Sequence, residues 1–396
     1  MEGKTLKNDI VIVAAKRTPM GGFQGELSSV SAPQLGSAVI KAIIDEYPTA
    51  SVNEVLMGCV LPAGLGQAPA RQAALGAGLS YAVGAVTMNK VCGSGMKAVM
   101  QACDQMTAGS AEVIIAGGME SMSQAPYLLK NARSGMKIGH DKVMDHMFID
   151  GLEDAYTGDS MGSFAQKTAD DYAISREQMD EFALSSLHKA TKAIESGAFN
   201  QEIVPVTVSS RKGETVVSID EQPRNARPDK IPHLKPAFAK SGTITAANSS
   251  SISDGAAALL LMTRGQAETQ GLPVLASIKG YSSHAQEPAL FTTAPVGAIS
   301  SLLNKINWHK DEVDLFEINE AFAMVTMLAI SELGLNKHKV NINGGACALG
   351  HPIGCSGARI IVTLIHALKA KGLKKGVASL CIGGGEATAI ALEVTS

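Results

Sequence analysis

Residues 94–120 decide the fold, and they read SGMKAVMQACDQMTAGSAEVIIAGGME. This stretch begins with Ser-Gly, continues as a helical pattern, becomes an apolar strand and ends in Gly-Gly-Met-Glu. Residues 356–386, SGARIIVTLIHALKAKGLKKGVASLCIGGGE, follow the same order of Ser-Gly, helix, strand, glycines and glutamate. Residues 54–79 and 312–335 also match each other, since both run from Glu-Val through a strand and a helix to Gly-Leu. Two matches in the same order indicate two copies of one α/β unit.

The region between the two copies differs from both of them. The first 121 residues alternate short apolar runs with helical patterns, as parallel strands joined by crossover helices do. From about residue 122, amphipathic helices such as residues 176–197 alternate with polar, proline-marked loops, and the strand–helix alternation returns near Asp254. The predicted units of this α/β protein are a first half of residues 1–121 and about 252–273, an inserted region of residues 122–251, and a second half of residues 274–396.

Length, charge and cysteine content narrow the class of protein. A chain of 396 residues fits two or three structural units. Its net charge is −3 and it has no long block of like charge, so nothing favours a nucleic-acid or membrane partner. No signal sequence precedes the strand pattern from Ile10, no apolar stretch reaches transmembrane length, and the six cysteines show no metal-binding spacing. We therefore expect a cytoplasmic protein with reduced cysteines and no metal site.

Cys92 is the first candidate for chemistry. It follows an apolar run and precedes Gly93 and a helix pattern that continues to Gly109. A thiol at a helix N-terminus lies near the positive end of the helix dipole, which favours the nucleophilic thiolate. The glycines would let a substrate carbonyl approach backbone N–H groups that stabilise an oxyanion. The alternative is a structural cysteine at a tight turn.

His351 is the second candidate. It lies in the glycine-dense loop of residues 343–359, just ahead of a helix pattern. The duplication sets Gly354 opposite Cys92, so the two loops should face each other. A surface or hydrogen-bonded core histidine is the alternative.

Two further segments place polar groups at predicted strand ends. Cys381 ends a strand and is followed by three glycines, of which Gly383 could donate its N–H group. Asn319 follows the strand of residues 313–318 and could instead cap the next helix. Since α/β proteins build their sites at this end of the sheet, we expect these groups to meet Cys92 and His351.

These segments resemble the signature blocks of the thiolases. The resemblance spans the whole chain from residues 14–19, and the blocks at residues 319–323 and 344–359 are highly specific. It implies the thiolase-like fold, in which two duplicated halves form a layered αβαβα arrangement and the inserted loop domain covers the coenzyme A site. It also implies a dimer or a tetramer of subunits, of which we expect the homotetramer, built as a dimer of dimers. The implied partners are acetyl-CoA, acetoacetyl-CoA and coenzyme A, which is a substrate or product, and no cofactor is implied.

The resemblance assigns a role to each candidate. Cys92 resembles the acylated nucleophile, His351 the base that activates it, and Cys381 the acid/base that acts on the second acetyl group. Asn319 resembles the residue that holds a water for one oxyanion, and the N–H groups of Cys92 and Gly383 resemble a second oxyanion hole. The positions that match the substrate and coenzyme A path are Met161, Phe238, Ala246, Ser250, Phe291, Ala321 and Phe322.

Within the family, residues 91–99 are closest to acetoacetyl-CoA thiolases. The expected reaction is that of an acetyl-CoA C-acetyltransferase, a reversible Claisen condensation of two acetyl-CoA through an acetyl-Cys92 intermediate. Ser160 and Phe291 stand where many of these members carry histidine and methionine, so a broader 3-ketoacyl-CoA thiolase is the alternative.

Two other classes share the fold. A non-catalytic acyl-CoA or lipid carrier would be expected to lack a catalytic position, and a ketosynthase would lack Cys381. Three basic residues of a polar loop are candidates for the 3′-phosphate of coenzyme A: Arg224, Arg227 and Lys230.

Overall fold

The computed structural model describes residues 9–211 and 213–395. The strands are β1 (Ile10–Arg17), β2 (Gly21–Gly22), β3 (Glu54–Gly58), β4 (Gly84–Met88), β5 (Val113–Ser121), β6 (Tyr127–Leu128), β7 (Met144–Asp145), β8 (Val206–Ser210), β9 (Gly213–Val217), β10 (Ser253–Thr263), β11 (Ala276–Ala285), β12 (Leu315–Ile318), β13 (Lys375–Ile382) and β14 (Glu386–Val394).

The α-helices are α1 (Ala32–Glu46), α2 (Pro69–Gly76), α3 (Ser94–Thr107), α4 (Met161–Asp171), α5 (Arg176–Glu195), α6 (Glu221–Asn225), α7 (Arg264–Gln270), α8 (Ala294–Ile306), α9 (Ala323–Leu333), α10 (Ala346–Leu349) and α11 (Ile353–Lys371). Short 3₁₀ helices lie at Met122–Gln124, Ala132–Ser134, Pro228–His233, Pro288–Thr293, Lys310–Glu312 and Lys337–Lys339, and a π-helical turn lies at Phe148–Leu152.

One large sheet contains both copies of the repeated unit. Its strands are hydrogen-bonded in the order β12-β13-β14-β11-β1-β10-β5-β3-β4, with β2 beside β10. In the first half β4, β3 and β5 are parallel, and β10 and β1 are antiparallel to their neighbours. In the second half β12 and β13 are parallel, and β14 and β11 are antiparallel. The order β12-β13-β14-β11 thus repeats β3-β5-β10-β1, and the predicted α/β fold with two duplicated halves is confirmed.

Helices cover the sheet on its outside and fill the space between the halves. On the outside, α1 and α2 pack on the first half and α8 packs on β11, β13 and β14. Between the halves, α3 contacts β3, β5 and β14, and α11 contacts β5, β10, β12 and β13. The resulting order of helix, sheet, helix, sheet, helix is the layered αβαβα arrangement that the resemblance implied. The domain boundaries stay a prediction, because hydrogen bonding does not divide this continuous sheet.

The two central helices touch through their glycines. A Cβ atom on Gly357 of α11 would lie 2.4 Å from Met96 N, and one on Gly95 of α3 would lie 2.8 Å from Ala358 N. Real Cβ atoms essentially never approach another atom so closely, so both positions require glycine. The same Cβ on Gly95 would lie 3.0 Å from Gly354 O. The N-terminal ends of the two helices therefore face each other, as the duplication predicted.

The helix α11 corrects one expectation. The helix has 19 residues, and the mean hydropathy of an 18-residue window within it is 1.3, so by length and composition alone it could cross a membrane. It is the one such helix in the described part of the chain. The prediction that no apolar stretch reaches this length was wrong. The physical reason is that 83% of the window is buried inside the protein, since both halves pack on α11 and leave it almost no polar face.

The inserted region between β5 and β10 consists of short elements that lie against both halves. It contains α4, α5, α6 and the two-stranded sheets β6–β7 and β8–β9. Phe164, Met179 and Ile244 of this region pack with Phe322 and Cys381 of the second half in one apolar cluster. The cluster places the inserted region above the carboxyl ends of β12 and β13.

Buried ion pairs attach the inserted region to the first strand. Arg17 of β1 has no solvent exposure, and its Nη1 and Nη2 atoms donate to Asp220 Oδ1 and Oδ2 at 2.7 and 2.9 Å. Its Nε atom donates to Glu202 Oε1 at 2.5 Å. The charges of both carboxylates stabilise the charged form of the buried guanidinium, which offsets the cost of its desolvation.

Candidate active site

A cavity of about 360 Å³ lies between the inserted region and the two halves. Most of its lining is apolar. The residues predicted from the sequence that line it are Cys92, Met161, Phe238, Ala246, Ser250, Phe291, Ala321, Phe322, His351 and Gly383. Cys381 and Asn319 are fully buried and lie outside this lining.

Sequence reasoning missed part of the cavity wall. Phe148, Leu152, Ile252 and Ile353 also line it, and they carry no chemical group that a sequence pattern could single out. A larger cavity of about 750 Å³, between α5, the end of α11 and the 3₁₀ helix at Lys337–Lys339, contains none of the predicted site residues.

A strained backbone turn presents Cys92 to the cavity. The preceding residue, Val91, has a φ angle of +45°, which is rare and costly for a β-branched residue. Hydrogen bonds hold the turn: Val91 N donates to Asn89 Oδ1 at 2.8 Å, and Ser94 Oγ donates to Val91 O at 2.7 Å. A Cβ atom on Gly93 would lie 2.3 Å from Ile382 Cδ1, so glycine allows the turn to approach the end of β13. The strain and the glycine therefore fix Cys92 next to the strand that carries Cys381.

The helix N-terminus was expected to favour the Cys92 thiolate, and burial of the sulfur opposes this effect. Burial raises the pKa of the Cys92 thiol to about 11, and the backbone N–H groups of Gly383 and Cys92 only partly oppose this effect. The free thiol is therefore protonated at neutral pH, and it needs a base before it can attack a substrate. The two N–H groups that reach the sulfur are those that the resemblance assigned to an oxyanion hole.

His351 has the protonation state that a base requires. Its Nδ1 atom lies 2.5 Å from Ser356 Oγ, and Ser356 Oγ donates its hydrogen to Pro352 O at 3.0 Å. Since a hydroxyl has one hydrogen, Ser356 must accept from His351 Nδ1–H, which leaves Nε2 unprotonated. Nε2 has no hydrogen-bond partner within the described residues. Burial, and then the charge of Arg359, lowers the pKa of His351 to about 3, so the imidazole is neutral near pH 7.

The backbone of His351 is fixed by a neighbouring segment. Its N–H group lies within hydrogen-bond distance of both Ser251 O at 3.1 Å and Ser253 Oγ at 3.2 Å. Neither Ser356 nor these two serines were identified from the sequence. For Ser356 the sequence signals were its match to Ser94 in the repeat and its place in the first turn of the helix that follows His351.

Cys381 lies at the end of β13 and is fully buried. Burial, and then the charge of the Cys92 thiolate, raises the pKa of the Cys381 thiol well above its ordinary value. The turn that carries Cys92 lies against the end of β13, because a Cβ atom on Gly93 would lie 2.3 Å from Cδ1 of Ile382, the residue after Cys381. The structure thus brings Cys92 and Cys381 together, although their sequence positions lie in different halves.

Asn319 is a buried polar residue with an unused side chain. It follows β12, and its backbone N–H donates to Ser379 O at 3.0 Å. Neither Oδ1 nor Nδ2 of its side chain has a hydrogen-bond partner in the part of the chain that the structure describes. Buried amides are costly to leave unpaired, so this side chain is suited to a bound polar group.

The basic candidates lie away from the cavity. Arg224, Arg227 and Lys230 do not line it, and Arg224 pairs with Glu26 through an Nη2–Oε2 distance of 2.6 Å. Within residues 9–211 and 213–395, no group of three or more His, Cys, Asp or Glu side chains could hold a metal ion.

Family models and relatives match almost the whole chain. The model "Thiolase, N-terminal domain" matches residues 10–265, and "Thiolase, C-terminal domain" matches residues 272–394. An acetyl-CoA acetyltransferase of Pseudomonas aeruginosa is 49% identical over 97% of this chain and 99% of that protein. Acetyl-CoA acetyltransferase 2 of Arabidopsis thaliana is 50% identical over 98% of this chain and 97% of that protein.

Solved structures match equally well. The acetyl-CoA acetyltransferase of Bacillus anthracis superposes with a TM-score of 0.95 at 43% identity, covering 98% of this chain and 99% of that one. A thiolase from Ascaris suum in complex with coenzyme A superposes with a TM-score of 0.92 at 42% identity, covering 98% of this chain and 100% of that one.

Proposed function

The chain belongs to the thiolase family and is an acyltransferase, and from this premise we propose the route by which it acts as an acetyl-CoA acetyltransferase. It joins two acetyl-CoA molecules into acetoacetyl-CoA and coenzyme A through an acetyl thioester on Cys92. The observation that carries this proposal is the cavity in which a protonated Cys92 meets a neutral His351 with a free Nε2 atom. Acyl exchange between thiols requires neither a metal nor a redox cofactor, and coenzyme A is a substrate or product.

In the first half-reaction, His351 Nε2 takes the proton from Cys92 Sγ, and the thiolate attacks the carbonyl carbon of acetyl-CoA. The N–H groups of Cys92 and Gly383 then donate to the oxyanion of the tetrahedral intermediate. The bond from carbon to the coenzyme A sulfur breaks, and the departing sulfur takes the proton of Cys381. The products are acetyl-Cys92, coenzyme A, a protonated His351 and a Cys381 thiolate.

In the second half-reaction, the Cys381 thiolate removes a proton from the methyl carbon of a second acetyl-CoA. The protonated His351 and a water held by Asn319 donate to the enolate oxygen, which lowers the barrier to this step. The carbon nucleophile attacks acetyl-Cys92, and the departing Cys92 sulfur recovers its proton from His351. Burial raises the pKa of the Cys381 thiol, which makes its thiolate a stronger base toward a weakly acidic C–H proton.

Mass spectrometry after exposure to acetyl-CoA tests the route. We expect one acetyl adduct on Cys92, and we expect it to be absent from Cys92→Ser and present in the control Cys103→Ser. Cys103 is a buried cysteine of α3 that does not line the cavity. An adduct on another cysteine, with none on Cys92, would rule the route out.

The size of the cavity supports a short acyl substrate. Phe322 makes edge contacts with Phe238 and Phe291, with ring centroids 6.1 and 6.4 Å apart. These rings leave little room for a long chain beside Cys92, which favours acetoacetyl-CoA over the substrates of a broader 3-ketoacyl-CoA thiolase. Thiolysis rates on acetoacetyl-CoA and on a long-chain 3-ketoacyl-CoA should differ in favour of the former. A clear preference for the longer substrate would support the alternative.

We also propose that the protein assembles as a homotetramer, a dimer of dimers. The edge strand β4 carries the exposed Val86, and the segment around β6 and β7 exposes Tyr127, Ile138 and Val143. Unpaired strand edges and exposed apolar side chains are typical of surfaces that a second copy covers. Light scattering should give the mass of four chains, and Ile138→Asp should reduce it. A monomer at micromolar concentration would contradict the proposal.

We further propose a cytoplasmic location, which suits the six free cysteines. Cell fractionation tests it, and recovery of the protein in the membrane or secreted fraction would contradict it.

A further inference from the structure

Glu120 lies near the end of β5 with no solvent exposure, and it does not line the cavity. Its Oε2 atom accepts hydrogen bonds from Val60 N at 2.9 Å and from Gly354 N at 2.8 Å. Its Oε1 atom accepts from Leu61 N at 3.1 Å. One buried carboxylate therefore joins a loop of the first half to a helix of the second half, and the reaction route above makes no use of it.

The loop that Glu120 holds packs directly on the nucleophile. Val60 and Leu61 follow β3 and belong, with Ile353, to a small apolar cluster against which Cys92 packs. A displacement of Val60 and Leu61 would therefore displace the wall behind Cys92.

The helix that Glu120 holds carries the base. Gly354 is the second residue of α11, and His351 lies three residues before it. The N-cap residue of α11, Pro352, provides no side-chain hydrogen bond. The first N–H groups of a helix lack partners within the helix and attract negative charge, and Glu120 satisfies one of them from the other half of the protein.

The two backbones approach each other closely beside Glu120. A Cβ atom on Gly354 would lie 2.5 Å from Glu120 Oε2, and one on Gly118 would lie 2.0 Å from Gly354 O. Only the ionised carboxylate offers acceptors alone on both of its oxygens. Burial raises the pKa of Glu120 to about 7, and the N–H groups of Val60, Leu61 and Gly354 oppose this effect. A glutamine of the same size would turn an NH₂ group toward one of these N–H donors.

We propose that Glu120 is a positioning residue that sets the distance between His351 and Cys92 by holding Gly354 and the loop of Val60 and Leu61 on one carboxylate. The inference rests on the proposed function and concerns the acylation step. Glu120 acts through its neighbours and does not touch the substrate. Its loss should slow the attack of Cys92 while leaving the binding of acetyl-CoA almost unchanged.

Single-turnover acetylation of Cys92, followed by quenching and mass spectrometry, tests the proposal. For Glu120→Gln we expect an acetylation rate about 10- to 100-fold lower, with a KM for acetyl-CoA within about twofold of the original. Glu120→Asp keeps the charge with a shorter reach, so its rate should lie between those of the original protein and Glu120→Gln.

The control is Glu202→Gln, which alters a buried carboxylate that pairs with Arg17. Glu202→Gln should lower Tm, but the acetylation rate of its folded form should stay within about twofold of that of the original protein. The control therefore separates a loss of stability from a loss of positioning.

The outcomes are distinguishable. Acetylation of Glu120→Gln at the original rate would overturn the inference and leave the proposed function intact. Failure of the original protein to acetylate Cys92 would overturn the proposed function itself. If Glu120→Gln does not fold, the aspartate variant decides, since a folded Glu120→Asp with the original rate would also overturn the inference.

Discussion

The hydroxyl of Ser356 determines which nitrogen of His351 is free. In Ser356→Ala, Nδ1–H loses its acceptor, and the imidazole can adopt the tautomer that places its proton on Nε2. We expect kcat to fall about 10- to 100-fold, the range seen when the partner that orients a metal-bound histidine is removed. The control is Thr107→Ala, which removes a hydroxyl that donates to a backbone carbonyl at the end of α3. Steady-state thiolysis gives kcat for both variants. Equal kcat values for Ser356→Ala and Thr107→Ala would contradict the assignment of the proton to Nδ1 of His351.

The protonated state of Cys92 predicts an unusual pH dependence of alkylation. Burial raises the pKa of this thiol from 9.0 to about 11. Because only the thiolate reacts with iodoacetamide, the rate at Cys92 should rise about tenfold per pH unit between pH 7 and pH 10. Comparison with Cys92→Ser isolates this site from the other cysteines. A plateau below pH 8 would indicate a resting thiolate instead.

The five catalytic candidates could be found from the sequence because each lies at a glycine-rich turn or at a strand end. Cys92 and His351 line one cavity, as expected, but burial raises the pKa of the Cys92 thiol more than the nearby N–H groups lower it. A local sequence pattern predicts that a helix begins after Cys92, and so predicts the effect of its dipole. The burial of the thiol depends on segments that are distant in the sequence. The repeat marked Glu120 by its position but not by its contact, since the residue it holds, Gly354, is 234 positions away.

At the scale of elements, the contact between α3 and α11 limits the residues that either helix can carry. In Gly357→Ala the added Cβ would meet Met96 N at 2.4 Å, and a backbone atom cannot move aside as a flexible side chain can. We expect the free energy of unfolding to fall by about 1–3 kcal/mol, as in other overpacked cores. Denaturant unfolding measures it.

The control for this prediction is Gly84→Ala at the start of β4. There the nearest atom to the added Cβ, Glu54 Cγ, lies at an ordinary 3.6 Å. Its free energy of unfolding should change by less than about 0.5 kcal/mol. Equal effects of the two substitutions would show that the helix contact is not tightly packed.

The repeat predicted the strand order of the two halves because sequential segments with the same pattern fold alike. The site residues were also expected at one end of a composite sheet, but the strand pairing that joins the two halves was not predicted. Only two residue pairs of β1 and β11 make that connection, Val11 with Ser277 and Ile12 with Ala276. No sequence pattern distinguishes such a short pairing from two separate sheet edges.

For the whole molecule, Arg17 attaches the inserted region to the first half. In Arg17→Met, the carboxylates of Asp220 and Glu202 remain buried without their cation. We expect the free energy of unfolding to fall by about 3–5 kcal/mol, measured in urea.

The control for Arg17→Met is Lys41→Met. It breaks an ion pair with Asp45 in which both side chains are 60% exposed, and it should cost less than about 1 kcal/mol. A loss for Arg17→Met as small as that for Lys41→Met would show that the inserted region is held by its apolar contacts instead.

The position of α11 in the sequence also affects how the protein folds during its synthesis. The strands β5 and β10 need α11 as a covering layer, yet β10 ends at Thr263 and α11 only at Lys371. At a ribosome speed of about 5–20 residues per second, the first half waits on the order of 5–20 s between completion of β10 and that of α11. During this interval a nascent chain exposes a bare apolar sheet. Chaperone binding should therefore concentrate on this sheet, and the first half cannot mature as an independent unit before the second half emerges.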